Sequence, residues 1–477
     1  MLAAAPAAQA LTDLAQTYGG CVDTTITQTI PLGPGGNYQA TIDAVQPGQR
    51  ILLASGTYTN GLRLYNLNAS AGNCIVIEGP ADRSAVFVGA PLNGIRNVVQ
   101  IRNSSFVVLR NAEIDGTGTT DIDGVKSDAS IAGPHAAAWS HHVTLDNLHI
   151  HDFDFDQGQV GISTKGPAWN WVVRRVTIER AGTGVYFGNS DGAQHFVNGL
   201  FEFNLVRDAV GYAMQVKHQF AASRPSGAGF ETLPATGQTV IRHNVFHKGA
   251  SSSTGGNARP NLLVGAFPLT GPGSDDDYVV AANFFHENPT GNEALFQGEG
   301  NVVFYANVLY NSMGPGMVIQ PQNGEVRRVR VFQNTVLSSA AGIFISSNVN
   351  PSFQQLVRGN AAFAGGTPIA GGVQAGNATD TFANAGNHLV NPSGIVAGGS
   401  NRMDLYPRAG MLTGAAIDTT PIAAYVDALR DFNDQPRDGT VRGAYGATGS
   451  NPGWQLALAI KPEAVPGLLF ADGFENP

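Results

Sequence analysis

VVAANFF (279–285) places an asparagine, Asn283, between two short apolar runs, and the same phrase returns along much of the 477-residue chain. VVLRNAEI (107–114), VTLDNLHI (143–150), LFEFNLV (200–206), VIRHNVF (240–246), VFYANVL (303–309), VRVFQNTV (329–336) and VRGNAAF (357–363) carry Asn111, Asn147, Asn204, Asn244, Asn307, Asn334 and Asn360 in the matching place. VRRVTI (173–178) fills the gap after the second as a unit that lacks the asparagine. Between these lies another set of apolar stretches: GISTK (161–165), GVYFG (184–188), AMQVK (213–217), NLLVG (261–265), EALFQ (293–297), GMVIQ (316–320) and GIFIS (342–346). Each is too short for a helix and is commonly bounded by Gly or Pro, the marks of a strand. A unit of this kind cannot bury its apolar face alone, so units recurring about every 24 to 40 residues must stack. The predicted fold is all-β, a right-handed parallel β-helix. Its asparagines would recur about 4.8 Å apart at equivalent turns and hydrogen-bond to one another and to turn backbone.

Composition agrees with that reading. Sixty glycines and 26 prolines describe many tight turns, while 43% apolar and only 13% charged residues describe an extended core rather than a disordered chain. A net charge of −9 excludes a general attraction to nucleic acid, so any anion site must be local. No stretch reaches the roughly 20 apolar residues of a membrane span, and a soluble monomer is expected. MLAAAPAAQA (1–10) reads as the remnant of a secretory signal, which implies a secreted or periplasmic protein. The chain then divides into an N-terminal cap (11–48), the β-helix (49–400), a final coil with C-terminal cap (401–447) and a tail (448–477). NYQATIDAVQ (37–46) predicts a capping helix, and PIAAYVDALRDF (421–432) a helix or second cap. Cys21 and Cys74 are the only cysteines; in an exported chain such a pair reads as a disulfide staple, with two free buried thiols as the alternative.

TIDAVQPGQRILLASGTYTNGLRL (41–64) and NCIVIEGPADRSAVFVGA (73–90) resemble the opening coil of pectate-lyase-superfamily proteins, most closely the branch of alginate lyases and chondroitinase B. AAIDTTP (415–421) and DFNDQPRDGTVRGAYGA (431–447) resemble the closing segments of many exported bacterial β-helix proteins. The resemblance implies a polysaccharide as partner. It also implies a catalytic lysine in a strand that GISTKG (161–166) matches at Lys165, whereas the arginine motif of the following coil has no counterpart in GVYFGNSDG (184–192).

Strand alternation sorts the second set of strands into inward and outward positions. With Ile162, Val185, Met214, Leu262 and Met317 inward, the outward pairs read Ser163 and Lys165, Tyr186 and Gly188, Gln215 and Lys217, Leu263 and Gly265, Leu295 and Gln297, Val318 and Gln320. Lys165 and Lys217 then share a column, about 9.6 Å apart across Gly188. The chain has only five lysines, so their pairing draws attention; solvated surface lysines are the plain alternative. Cleavage of a uronate polymer by β-elimination needs a neutralised carboxylate, a base and an acid. Lys165 or Lys217 is a candidate base, the other lysine or Arg259 a neutralising cation, and Tyr186 or His218 a candidate acid. Gln215, Asn189, Asp191, Gln297, Glu299 and Gln320 are candidate substrate contacts. A glycoside hydrolase would need carboxylates roughly 5 to 9.5 Å apart. Asp191 and Glu299 are expected four coils apart, about 19 Å, leaving Asp128 and Asp156 as acids that loops would have to bring together. A uronate epimerase and a non-catalytic carbohydrate-binding or cell-surface protein are further alternatives.

Calcium is the metal that oxygen-only sets would hold, at Asp152, Asp154 and Asp156 of HDFDFDQ (151–157) or at Asp275, Asp276 and Asp277; solvated turns are the alternative for both. His243 and His247 lie on a strand, outside the helical context of a zinc protease, and SSSTGGNARP (251–260) lacks the strand-to-helix setting of a phosphate loop.

Overall fold

A computed structural model describes residues 11–89, 97–127, 139–220, 224, 229–396, 399 and 401–463. Among them the strands form a right-handed parallel β-helix. One side is an eleven-stranded parallel sheet, running from Leu62–Tyr65 to Ile369–Ala370 and built from the GISTK-type strands. A longer sheet wraps the rest of each coil, its strands turning a corner at the asparagine-bearing phrase.

That corner separates the eight asparagines into two columns, a correction to the single stack expected. Strand register aligns Leu148 with Ala112 and Leu205 with Thr177, so Asn204 matches Val176, Leu148 and Ala112 rather than Asn147. Asn111 and Asn147 occupy the corner itself, with φ of 57° and 49°, and Asn147 Nδ2 donates to Asn111 Oδ1 at 2.8 Å. Asparagine tolerates this left-handed backbone better than most residues. From Asn204 onward the corner residue precedes the asparagine: Phe203, His243, Ala282, Ala306, Gln333 and Gly359 all have φ between 52° and 67°.

The asparagine then turns inward, fully buried at Asn204, Asn244, Asn283, Asn307, Asn334 and Asn360. Each Nδ2 donates to the Oδ1 of the next, at 2.9 to 3.1 Å, ending on Asn377. It donates also to a backbone carbonyl of the preceding coil, as Asn307 does to Val280 and Asn334 to Phe304. Each Oδ1 accepts a main-chain amide as well: Asn334 Oδ1 takes Asn307 N–H at 2.9 Å. VRRVTI enters this column with Val176, whose amide donates to Asn204 Oδ1.

The coil interior is filled by the apolar partners of these phrases, with Phe246 and Phe285 stacked 5.1 Å apart in successive coils and Phe187 on Phe196 at 4.0 Å. The helix expected near the N-terminus forms over Tyr38–Asp43 and buries Tyr38 and Ile42. Over 421–432, read as a helix or a cap, no α-helix forms: a 3₁₀ turn, Thr420–Ile422, leads into further turns. Ile422 and Ala428 pack, with Ala15 and Tyr18 of the N-terminal arm, on the outer face of the longer sheet over Val240 and Val279. Arg242 joins both segments, donating to Asp427 Oδ2 and to the Thr12 carbonyl, each at 2.7 Å. Cys21 and Cys74 are disulfide-bonded, tying the arm to the first coils. The outer face of the longer sheet is thus partly covered by the two ends of the described chain. The eleven-stranded sheet keeps half-exposed polar side chains on its outer face.

Truncation of one ladder residue leaves a main-chain amide and a carbonyl buried without their partners. Asn307→Ala is therefore expected to cost about 2 to 6 kcal/mol, at roughly 1 to 3 kcal/mol per unsatisfied group. A lower denaturant midpoint than for an Asn147→Ala control checks this; equal midpoints would show the ladder to be dispensable.

Candidate active site

On the eleven-stranded sheet, register places Ser163, Tyr186, Gln215, Leu263, Gln297 and Val318 in one outward column. Two residues further on, Lys165, Gly188, Lys217, Gly265, Glu299 and Gln320 form the next. Leu295 is the correction here. Register pairs Gln297, not Leu295, with Leu263, so Gln297 belongs to the first column and Glu299 to the second, and Leu295 lies buried before the strand.

Lys165 and Lys217 stand two coils apart, as the alternation predicts, with Tyr186 between them. The Lys165 ammonium lies 5.2 Å and the Lys217 ammonium 5.1 Å from the centre of the Tyr186 ring. Tyr212, in the turn before Met214, extends the row: Lys217 Nζ is 5.8 Å from its ring centre, and so is the guanidinium carbon of Arg259. Cation, ring, cation, ring and cation follow one another along the face. Such contacts contribute about 0.5 to 1 kcal/mol each where solvent reaches them, and they hold like charges together without neutralising them. Among the described residues neither lysine forms an ion pair, and the Arg259 guanidinium donates only to the Gly256 and Ala258 carbonyls.

Burial, then Arg259, then Lys165 hold the Lys217 ammonium below the usual lysine range. Burial pushes the Tyr186 phenol up against the opposing hydrogen bonds of Ser190, and burial likewise raises Tyr212. Gln215 lies buried in the adjacent outward position, and its Oε1 has no hydrogen-bond partner among the described residues. The two glycines are places of close approach. A Cβ on Gly265 would stand 2.3 Å from the His218 amide nitrogen, and one on Gly188, where φ is +78°, would stand 3.2 Å from Lys217 Cβ. They let neighbouring coils draw tight beneath Lys217.

Glu293 and Lys248 also belong here, and neither was singled out from sequence. Lys248 Nζ donates to the Arg259 carbonyl at 2.7 Å and Asn288 Nδ2 to the same oxygen at 2.9 Å, which fixes the loop that delivers Arg259. Burial brings the Lys248 ammonium down to about 8. Burial raises the Glu293 carboxyl, while Arg259 and Lys248 oppose that rise. Glu293 also lines, with Gln297, Gln320 and Phe344, a depression of about 420 Å³ further along the same face.

Other expected residues lie apart or are engaged. His218 is buried and packs on Phe220 at 4.8 Å, lining a separate depression with Phe267 and Leu269. Burial lowers its pKa, which favours the neutral ring and weakens it as a proton donor near neutral pH. Asn189 and Asp191 bond to each other at 3.2 Å, and Asp191 also caps the Ala193 amide. Glu299 Oε2 accepts the main-chain amides of Gln322, Asn323 and Gly324 at 2.8 to 3.0 Å, a turn-holding arrangement. The strand carrying Glu299 is three coil steps from that of Tyr186, not four, so about 14 Å separates those levels. That is still too far for a hydrolase pair. Asp128 lies outside the described residues.

The calcium sets do not assemble. Asp152 is taken up by Arg180 and by His151, at 2.7 Å from His151 Nδ1, and Asp156 caps the Gly158 amide, so Asp152, Asp154 and Asp156 do not converge. Asp276 pairs with Arg224 at 2.7 Å and Asp277 with Arg328 at 2.9 Å.

No family model matches the chain, and no curated protein matches it in sequence. Among solved structures, the crystal structure of pectate lyase Pel9A aligns over 92% of this chain and 93% of its own, at 15% identity and a TM-score of 0.45. The PL6 family polysaccharide lyase Pedsa3628 from Pseudopedobacter saltans aligns over 75% and 93%, at 10% identity and a TM-score of 0.44. The GH136 lacto-N-biosidase from Eubacterium ramulus aligns over 74% and 68%, at 10% identity and a TM-score of 0.38.

Removing Arg259 or Lys165 takes a positive charge away from Lys217. Arg259→Gln is expected to raise the Lys217 pKa toward its ordinary 10.5, and Lys165→Gln to raise it less. With five lysines in the chain, side-chain NMR titration resolves this directly; an unchanged Lys217 in both variants would remove the coupling.

Proposed function

We propose that this protein is a lyase that cleaves a uronate-containing polysaccharide by β-elimination, outside the reducing cytosol. The observation that carries the reading is the row Lys165, Tyr186, Lys217, Tyr212 and Arg259: three cations that form no salt bridge among the described residues, interleaved with two phenols, with Glu293 near Arg259 as the acid that acts on it. The Cys21–Cys74 disulfide supports the oxidising location.

The roles follow from the charges. A uronate carboxylate is drawn to Lys165 and Arg259, which take up the negative charge that grows on it as the neighbouring proton leaves. Lys217, whose neutral form is favoured by burial and by those same cations, removes that proton. The electron pair of the broken C–H bond becomes the carbon–carbon double bond, and the bond to the leaving glycosidic oxygen breaks. Tyr186 or Tyr212, each holding its proton more tightly than a free phenol, supplies the proton to that oxygen. The depression beyond Glu293, with Gln297 and Gln320, offers amides to further sugar units.

Incubation with alginate, pectate, glycosaminoglycans and neutral glycans tests the reading. Ultraviolet absorbance from an unsaturated product is expected with an acidic polymer. Reducing ends without that absorbance would mean hydrolysis, inverted uronates without cleavage would mean epimerisation, and binding alone would mean a non-catalytic protein. Lys217→Met and Tyr186→Phe are each expected to lower kcat by about 10² to 10⁴; full activity in both would sink the assignment. The base must be neutral, so the rate rises with pH toward a Lys217 pKa below 10.5. The acid must keep its proton, so the rate falls only above the usual tyrosine value of 10.0.

A further inference from the structure

We propose that Glu113, His149 and His151 form a binding site for one divalent transition-metal ion of the zinc class. The three lie on the longer sheet, away from the lysine row. Glu113 is directly opposite His149 in the register of strands Ser105–Asp115 and Ser140–Phe153. His149 and His151 alternate with the buried Leu148 and Ile150, so both rings project from the same outer face. Their ligand atoms and the Glu113 carboxylate lie within 4.8 Å of one another. His151 Nε2 is 3.3 Å from Glu113 Oε1, His149 Nδ1 is 3.8 Å from Glu113 Oε2, and the two rings are 4.4 Å apart.

The second observation is the orientation of His151. Its Nδ1 meets Asp152 Oδ2 at 2.7 Å, and Asp152 is held in turn by Arg180. A carboxylate at Nδ1 keeps the proton there and turns the lone pair of Nε2 toward Glu113 and His149. Nε2 is buried, and its polar neighbour is Glu113 Oε1 at 3.3 Å. A lone pair facing a carboxylate is repulsive unless a cation stands between them. The carboxylate, histidine and metal arrangement answers this, with Asp152 fixing the tautomer and ring angle of a ligand it does not share. Two imidazoles and one carboxylate suit zinc, cobalt or nickel over the oxygen-seeking calcium and magnesium, and leave a position for water. With side-chain exposures of 31% for Glu113, 27% for His149 and 11% for His151, the site is reachable from solvent.

The alternative source of positive charge is a proton on His151, whose affinity burial lowers but the hydrogen bonds of Asp152 and Glu113 raise on balance, so the test is made at about pH 8, above the ordinary imidazole range. The full chain, without a histidine tag, is stripped with a chelator and titrated with Zn²⁺ by calorimetry, then with Co²⁺ by visible absorption. Binding of about one Zn²⁺ per chain is expected, with ligand-field bands for Co²⁺. His149→Gln combined with His151→Gln should abolish that binding, and Asp152→Asn should weaken it by about 10- to 100-fold. Should the double variant fail to fold, Glu113→Gln, a change at a partly exposed position, decides: it too must weaken binding. No zinc uptake by the unaltered chain, or uptake unchanged by Glu113→Gln, overturns the proposal.

Discussion

The hydrogen bond from one buried asparagine amide to the next, repeated from Asn204 to Asn377, is the constraint on which the rest of this molecule depends. Each amide between the two ends spends both donors and both acceptors inside the column, so a slip of one residue between coils would strand several buried polar groups at once. The left-handed residue before each asparagine, even where it is Phe203 or Gln333, costs on the order of 1 kcal/mol, and the ladder offsets it. Fixed register at that corner is carried around each coil. On the opposite sheet, Lys165, Gly188 and Lys217 therefore fall in line rather than at random.

Much of this was legible in the chain because period and alternation are what a solenoid writes into its sequence. The short strands, their stacking and the inward sides of Ile162, Val185 and Met214 all follow from apolar spacing. The errors came where two physical demands select the same residue. Asparagine suits both the left-handed corner at Asn111 and Asn147 and the buried ladder from Asn204, so one letter marked two columns. In EALFQGEG alternation allows either Leu295 or Gln297 to stand beside Leu263, and only the pairing of Phe296 with Leu262 shows that it is Gln297.

The residues missed around the lysines share a different cause. Tyr212 and Glu293 sit in turns, where strand alternation makes no statement, and Lys248 acts through a carbonyl of Arg259. Nothing in their local sequence distinguishes them from solvated loop residues. The acids of HDFDFDQ drew attention by their charge, whereas geometry gathers the histidines of LHIHD around Glu113, because facing residues of adjacent strands are neighbours and successive turn residues diverge.

A net charge of −9 looks ill-matched to an anionic polymer, but charge acts over a short range in salt water. At physiological ionic strength the field of an exposed group fades over about 8 Å, so the sign of a groove is set by its own side chains. Many of the carboxylates here are already spent on arginines of the longer sheet, as Glu78 is on Arg50 and Arg110, and Glu202 on Arg242. Paired charges contribute little field at a distance. Lys165 and Lys217 have aromatic neighbours instead of acids, and a ring face steadies a cation without cancelling it. The excess of acid in the whole chain and the local positive potential on this face are therefore compatible. The absence of salt bridges on this face leaves the cations un-neutralised, while burial, Arg259 and Lys165 together lower the proton affinity of Lys217.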